Sequence, residues 1–369
     1  MIKRNKVFVA MSGGVDSSVT AGLLKEAGYD CTGVFMCLGQ PPIPVAGPKD
    51  QRHNACCSPQ DSRDAKEVAE CLGIKFVVLD FQQDIKKIID YFVNEYKQAR
   101  TPNPCILCNC MLKFGRLLEY ACALGADYVA TGHYARILNI EDHLRLARGV
   151  DRNKDQSYAL FNIERKKLEH ILLPLGEFTK PQVRELAAKM NLPVHDKAES
   201  QEICFVPDNN YARLVAERLP EVQREGEVID SQGRRFGGHS GIYQYTIGQR
   251  QGLGIAAGEP KYVIRLDNAT NTVVLGTAAE LMQRRLVADR INWLVEPAPA
   301  KPFRAAIQIR YNHRGQKGVV TILDNGEQAE VEFDEAVSAI TPGQAAVFYD
   351  ADQKVIGGGW IKEAFNATA

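Results

Sequence analysis

Ser12-Gly13-Gly14-Val15-Asp16-Ser17-Ser18 stands directly between Lys6-Val-Phe-Val-Ala-Met11 and a helical stretch that runs to Ala27. The first run reads as a buried strand, and Gly28 can stop the helix. A strand, a tight turn and a helix place the turn at the carboxyl edge of a sheet, where ligands collect in α/β folds. Two glycines let backbone amides turn inward, and the helix N-terminus adds a positive dipole end. Ser12, Ser17 and Ser18 supply hydroxyls. The pattern suits a pyrophosphate group. It lacks the Gly-Lys-Ser/Thr of a Walker loop and is not the Gly-x-Gly-x-x-Gly of dinucleotide folds.

Working outward, strands and helices alternate. Cys31 to Met36 is a second strand, and residues 37–57 form a loop rich in Pro and Gly. Ser58-Pro-Gln-Asp61 is a helix start, with Ser58 as cap and Asp61 returning a bond. Phe76 to Leu79 is a strand, Ile85 to Tyr96 a helix, and Phe114 to Ala121 another helix. Asp127 to Thr131 is the next strand, and Thr179-Lys-Pro-Gln182 opens a helix to about Met190. This alternation predicts a parallel sheet covered on both faces. The second half reads differently. Lys261–Leu266 with Thr272–Leu275 is one hairpin. Val319–Leu323 with Ala329–Phe333 is another, turned by Asp324-Asn-Gly326. Pro297, Pro299 and Pro302 mark a loop or linker. The expected fold is α/β: a phosphate-loop domain over 1–208, a small mixed domain over 209–285 and a β-barrel over 286–369.

The 369 residues hold 45 Lys+Arg and 45 Asp+Glu, so the net charge is zero. A general nucleic-acid binder would carry a basic surplus, so any such binding must use a local patch. No apolar run approaches the roughly 20 residues of a spanning helix, and no signal peptide is evident, so a cytoplasmic, membrane-free chain is expected. All ten cysteines fall at or before Cys204. Structural disulfides are not expected in a cytosolic chain, so sulfur or metal chemistry belongs to the first half.

Thr101-Pro-Asn-Pro-Cys105-Ile-Leu-Cys108-Asn-Cys110 precedes a helix, and a helix N-terminus raises the thiolate fraction of a nearby thiol. Cys108 is the candidate nucleophile. Glu199-Ser-Gln-Glu-Ile-Cys204-Phe carries the second candidate, whose bland reading is a buried core thiol. Structural zinc on Cys105 and Cys108, completed by Cys56, Cys57 and His53, and an iron–sulfur cluster on Cys105, Cys108 and Cys204 are the metal alternatives. Met36 and Gly132, at the ends of two strands, face the same sheet edge as the loop. Arg310-Tyr311 pairs a phosphate-binding cation with a stacking ring, thickened by His313, Arg314 and Lys317.

The Ser12–Ser18 segment resembles the PP-loop of ATP pyrophosphatases. An ordered set then joins it: Arg100-Thr-Pro-Asn-Pro104, Cys108-Asn109, Ala130-Thr-Gly-His-Tyr134, Lys154-Asp-Gln-Ser-Tyr158, Gln201-Glu-Ile-Cys-Phe205, Gly248-Gln-Arg-Gln-Gly-Leu-Gly254 and Thr341-Pro-Gly-Gln344. Together they resemble the bacterial tRNA-specific 2-thiouridylase family over roughly residues 6–360. The resemblance implies that ATP, with Mg2+, is held by Ala10, Met11, Ser12, Gly13, Gly14, Val15, Asp16, Ser17, Met36 and Gly132. It implies catalysis by Cys108 and Cys204. It implies tRNA contacts at Asn103, Pro104, Cys105, His133, Lys154, Asp155, Gln156, Arg310, Tyr311 and Gln344. The target it implies is the wobble uridine of tRNAs for Lys, Glu and Gln, with sulfur from a persulfide-donor protein and the enzyme a monomer. Many family members have Asp where this chain has Cys105, so an acid–base role at that position does not carry over.

The chemistry is coherent. The C2 oxygen of uracil is a poor leaving group; adenylation turns it into AMP, which sulfur can displace. An AMP-forming loop and reactive cysteines therefore belong on one chain. The rivals are a PP-loop enzyme acting on a small molecule and a non-catalytic, metal-stabilised RNA-binding module.

Overall fold

The computed structural model describes residues 5–39, 58–198, 203–255 and 259–366. These residues form two compact units, one built mainly from residues 1–89 and 104–209, the other mainly from 210–352 and 356–369 with residues 90–103.

In the first unit, β1 (Lys6–Ala10) leads through the glycine turn into α1 (Val15–Glu26). Gly28 takes φ +88° just past the helix end, as the stop signal requires. β2 (Asp30–Cys37) follows. α2 (Pro59–Cys71) opens with the expected capping box, in which Ser58 and Asp61 bond reciprocally. β3 (Lys75–Asp80) and α3 (Gln82–Lys97) come next, α3 belonging to the second unit from Asp90 onward.

A continuous helix then runs from α4 (Pro104–Leu107) through a π-helical stretch, Cys108–Arg116, into α5 (Leu117–Ala123). The wide turn has local causes. The Leu117 amide bonds to the Leu112 carbonyl five residues back. A Cβ on Gly115 would lie 2.8 Å from the Cys110 carbonyl oxygen, again five residues back. The periodicity of Phe114, Leu117, Leu118 and Ala121 predicts an ordinary helix here; π turns are rare and gather at functional positions. β4 (Tyr128–Ala130), the hairpin β5 (Ala135–Ile140) and β6 (His143–Arg148), β7 (Ile171–Leu172) and α6 (Lys180–Lys189) complete the unit.

The main sheet has the order β3-β2-β1-β4-β7 with every pair parallel. Such strands need apolar residues on both faces, and Val7, Phe8 and Val9 are all buried. Val7, Val9, Val15, Val19, Val68, Val183 and Ala187 share one core, so α1, α2 and α6 pack with the sheet. The strand order reverses beside β1, which puts the turn after β1 at a topological switch point.

The second unit begins with α7 (Tyr211–Arg218) and a four-stranded mixed sheet of order β10-β11-β8-β9. Its strands are β8 (Gly226–Asp230), β9 (Arg235–His239), β10 (Tyr262–Asp267) and β11 (Thr272–Gly276). The expected β10–β11 hairpin is antiparallel. A closed six-stranded barrel follows, from β12 (Met282–Trp293), β13 (Phe303–Gln308), β14 (Gln316–Leu323), β15 (Gln328–Ser338), β16 (Ala345–Tyr349) and β17 (Val355–Phe365). The Asn-Gly turn joins β14 to β15, with φ of +54° at Asn325 and +98° at Gly326. The proline cluster lies on the largely exposed connection between β12 and β13, so it is a loop within the barrel domain and not a linker between domains. No described helix is long and apolar enough to cross a membrane.

Candidate active site

The turn after β1 is braced from within. Ser17 Oγ accepts from the Ser12 amide at 3.1 Å, and Ser18 Oγ donates to the Gly14 carbonyl at 2.8 Å. Ser17 Oγ also donates to the Gly14 carbonyl, at 3.2 Å, and both side chains are buried, so these two hydroxyls shape the loop from within and are not the donors to phosphate that the sequence suggests. Met11 is 1% exposed with its sulfur against Gly33, so its side chain is core and only its main chain borders the loop. Val15 is likewise buried, while Ala10 and Met36 are half-buried.

Asp16, on the first turn of α1, carries the loop's carboxylate. Lys180 Nζ donates to both its oxygens, at 2.7 and 2.9 Å, and the Tyr134 hydroxyl donates to Oδ1 at 2.8 Å. Lys180 opens α6, where Thr179 and Gln182 make a capping box, and it is 8% exposed. A phosphate loop without a Walker lysine thus receives its cation from 164 residues away in sequence. Sequence reasoning took Thr179-Lys-Pro-Gln182 only as a helix start and missed Lys180 and Tyr134; an unexplained lysine at a helix N-terminus, where a cation opposes the dipole, was the available signal.

Gly132 is expected to let a ligand approach. What approaches it is the chain itself: a Cβ there would fall 2.9 Å from the Asp16 carbonyl carbon and 3.0 Å from the Ser17 amide. The 131–134 segment therefore packs on the phosphate loop. Next to it, His133 is buried; its Nδ1 lies 2.7 Å from Thr131 Oγ1 and its Nε2 3.4 Å from Lys113 Nζ. Burial, with Lys113 adding to it, holds this imidazole well below the usual histidine range, so it is neutral at pH 7. Lys113 lies on the π stretch that begins with Cys108. Loop, 131–134 segment and cysteine-bearing helix are thus linked in one unit.

Cys108 is half-buried and Cys105 exposed. Asn109 anchors the helix by donating from Nδ2 to the Ala159 carbonyl at 3.0 Å. Cys110 is set apart from them: burial raises its thiol above the ordinary range, and Asn162 donates to its sulfur at 3.5 Å. Cys204 is half-buried, contrary to its bland reading as a core cysteine. The next two residues, Phe205 and Val206, are buried and pin the turn. Among the described residues, no group of three or more His, Cys, Asp or Glu side chains is placed to hold a metal. Cys105, Cys108 and Cys204 therefore do not form an assembled cluster site. His53, Cys56 and Cys57 lie outside the described residues.

The Lys154–Gln156 segment is largely engaged internally. Asp155 is buried and accepts from Arg148, from the Gly149 amide and from Ser157 Oγ. Gln156 bonds the Tyr134 main chain in both directions, at 3.0 and 2.9 Å, and so supports the 131–134 segment; Lys154 is half-buried. In the second unit, Gln344 Nε2 donates to the Thr101 and Pro102 carbonyls at 2.9 and 3.2 Å. It therefore orients the connecting segment that carries the half-buried Asn103, next to the buried Pro104. Arg310 donates to the Ser338 carbonyl at 2.9 Å, whereas Tyr311 is 44% exposed.

The family described as "tRNA methyl transferase HUP domain" matches residues 5–208. The chain is 50% identical over 366 residues to the tRNA-specific 2-thiouridylase MnmA of Carboxydothermus hydrogenoformans, covering 98% of this chain and 99% of that one. The chain belongs to the tRNA-specific 2-thiouridylase family. A "tRNA methyl transferase PRC-barrel domain" matches residues 213–277 and an "Aminomethyltransferase beta-barrel domain" matches 283–361. The Clostridium perfringens MnmA is 46% identical over 360 residues, 97% of this chain and 99% of that one. A U34-tRNA thiolase, NcsA from Methanococcus maripaludis, aligns at a TM-score of 0.34 and 19% identity over 59% of this chain and 69% of its own.

Proposed function

We propose that the protein is an ATP-dependent tRNA-uridine 2-sulfurtransferase that converts the wobble uridine of tRNAs for Lys, Glu and Gln to 2-thiouridine. Full-length identity near 50% with 2-thiouridylases carries the reading. The domain bounds 1–208, 209–285 and 286–369 belong to it, supported by three successive family matches. So do a cytoplasmic location, a monomeric enzyme and a persulfide-donor protein as partner.

ATP would lie against Ala10–Ser17, with Met36 and Gly132 flanking it. The loop amides and the α1 N-terminus suit its phosphates. Asp16 is a fitting ligand for Mg2+, which would neutralise phosphate charge when bound. In the present arrangement Lys180 covers that carboxylate. With nucleotide present, Lys180 is the cation that can turn from Asp16 to the departing pyrophosphate. The uracil O2 attacks the α-phosphorus, an O–P bond forms, and pyrophosphate leaves. The target base must be turned out of its stack to reach this site. Asn103, Pro104 and Cys105 are the proposed contacts of that base, as is His133, while Gln344 holds the Thr101 and Pro102 carbonyls just before Asn103. Lys154 and Arg310-Tyr311 are the proposed tRNA contacts, with Asp155 and Gln156 holding the segment on which Lys154 stands.

Sulfur arrives as a persulfide on Cys204. The Cys108 thiolate attacks the inner sulfur, the S–S bond to the terminal sulfur breaks, and sulfide is released beside C2. Sulfide adds at C2 and AMP leaves with the former oxygen. The two cysteines end as a disulfide, which a dithiol reductant must reopen. No step is routed through a cluster, because the three cysteines do not form an assembled ligand set.

The test is incubation of unmodified tRNA with the enzyme, ATP and a persulfide donor, followed by nucleoside mass analysis. One 2-thiouridine per AMP and pyrophosphate is expected. AMP release with no thiouridine in the tRNA would point to the small-molecule rival.

A further inference from the structure

Lys197 lies beyond α6, outside every motif that the function absorbs. Its amide donates to the Val194 carbonyl at 3.0 Å, and Val194 belongs to the core shared with α1. From this firm base its ammonium reaches the phosphate loop. Nζ donates to the Gly13 carbonyl at 3.0 Å, to Asp61 Oδ1 at 2.7 Å and to Asp64 Oδ2. An ammonium has three donors, and all three are taken. Burial alone would lower its pKa, but the bonds to Asp61 and Asp64 raise it above the ordinary lysine value, so it stays charged. Lys197 therefore cannot also contact phosphate without breaking a bond.

Its effect on the loop follows from peptide geometry. The Gly13–Gly14 peptide is trans and planar, so the carbonyl of Gly13 and the N–H of Gly14 point in opposite directions. Tying the carbonyl to Lys197 aims the Gly14 N–H away from it. Gly14 is the N-cap of α1, and its amide has no protein acceptor among the described residues. With glycine on both sides, this peptide could otherwise turn over at little steric cost. Gly13 itself is at φ +72°, and a Cβ on it would fall 2.3 Å from the Asp61 carbonyl oxygen. The first turn of α2 is thus the floor on which the loop rests.

We infer that Lys197 is a positioning residue of the nucleotide site: by holding the Gly13 carbonyl it fixes the Gly13–Gly14 peptide so that the Gly14 amide presents its hydrogen to an ATP phosphate. The inference rests on the ATP reading above. Calorimetric titration of folded Lys197→Met with ATP and with adenosine tests it. ATP affinity should fall about tenfold to a hundredfold, the cost of one hydrogen bond to a charged acceptor. Adenosine, which has no phosphate, should bind as to the wild type. Unchanged ATP affinity, or equal losses for ATP and adenosine, overturns the inference.

The substitution also leaves two carboxylates beside a polyanion. The double variant Asp64→Asn/Lys197→Met removes one of them together with the ammonium. ATP should still bind weakly to it; recovery would assign the effect to charge and sink the inference. Should Lys197→Met fail to fold, Lys197→Gln carries the same expectations. Failure of the wild type to bind ATP would instead bring down the ATP reading itself.

Discussion

The parallel-sheet unit and the barrel use their polar side chains in opposite ways. Around the turn after β1, charged groups from distant segments converge: Asp16 with Lys180, and Asp61 and Asp64 with Lys197. In the barrel, Leu286, Ile307, Val331, Phe333 and Phe348 fill the interior, and polar groups such as Arg310 and Gln344 tie down turns at its surface. Buried charge is tolerated where its partners are fixed, and it is kept where chemistry requires it. The contrast fits the proposal that bond-making belongs to the first unit, with Arg310-Tyr311 of the second among the tRNA contacts.

The largest effect should come from the thiols. Cys108→Ser and Cys204→Ser should each abolish 2-thiouridine while ATP is still split to AMP and pyrophosphate; thiouridine at wild-type rate in either variant would break the assignment of chemistry to the first unit. Next, Lys180→Met should slow pyrophosphate release by about 10²–10³-fold, the range for losing one preorganised donor. Its tRNA affinity should be unchanged in filter binding. Tyr311→Ala sharpens the other side of the contrast. Loss of one stacking ring, about 1–3 kcal/mol, should raise the Kd for tRNA and leave that for ATP alone. A shift in ATP affinity would show that the barrel is not confined to RNA handling.

The smallest effect concerns His133. Its folded pKa is depressed below the unfolded value of about 6.5. The unfolded chain therefore takes up the proton first as pH falls, and the stability contribution, complete above that value, declines below it. Urea denaturation at pH 5.5 and 7.5 should show a larger difference for the wild type than for His133→Gln. An equal difference would mean that the imidazole titrates normally and is not sealed beside the loop.

Much of this was readable along the chain. Apolar runs such as Val7–Val9 signal strands because both faces of a parallel sheet are covered. The Ser58/Asp61 and Thr179/Gln182 spacings signal helix starts because capping is local. The Asn325-Gly326 turn is local too. What escaped was long-range or register-dependent. The π turn at Cys108–Arg116 depends on Gly115 approaching the Cys110 carbonyl, which apolar periodicity does not encode. Gly132 was read as an opening for ligand, yet its smallness accommodates the Asp16–Ser17 main chain. Gln344 and Gln156, expected at the tRNA, hold backbone that carries or borders the site.

By itself the sequence determined the class of fold and the family, and it named the loop and the two thiols proposed for the chemistry, since each depends on neighbouring residues or on ordered motifs. Only the tertiary structure decided which cations serve the loop. Lys180 and Lys197 are 164 and 184 residues from their partners, and an ion pair of that span exists only once packing of α6 and the turn after it has fixed both ends.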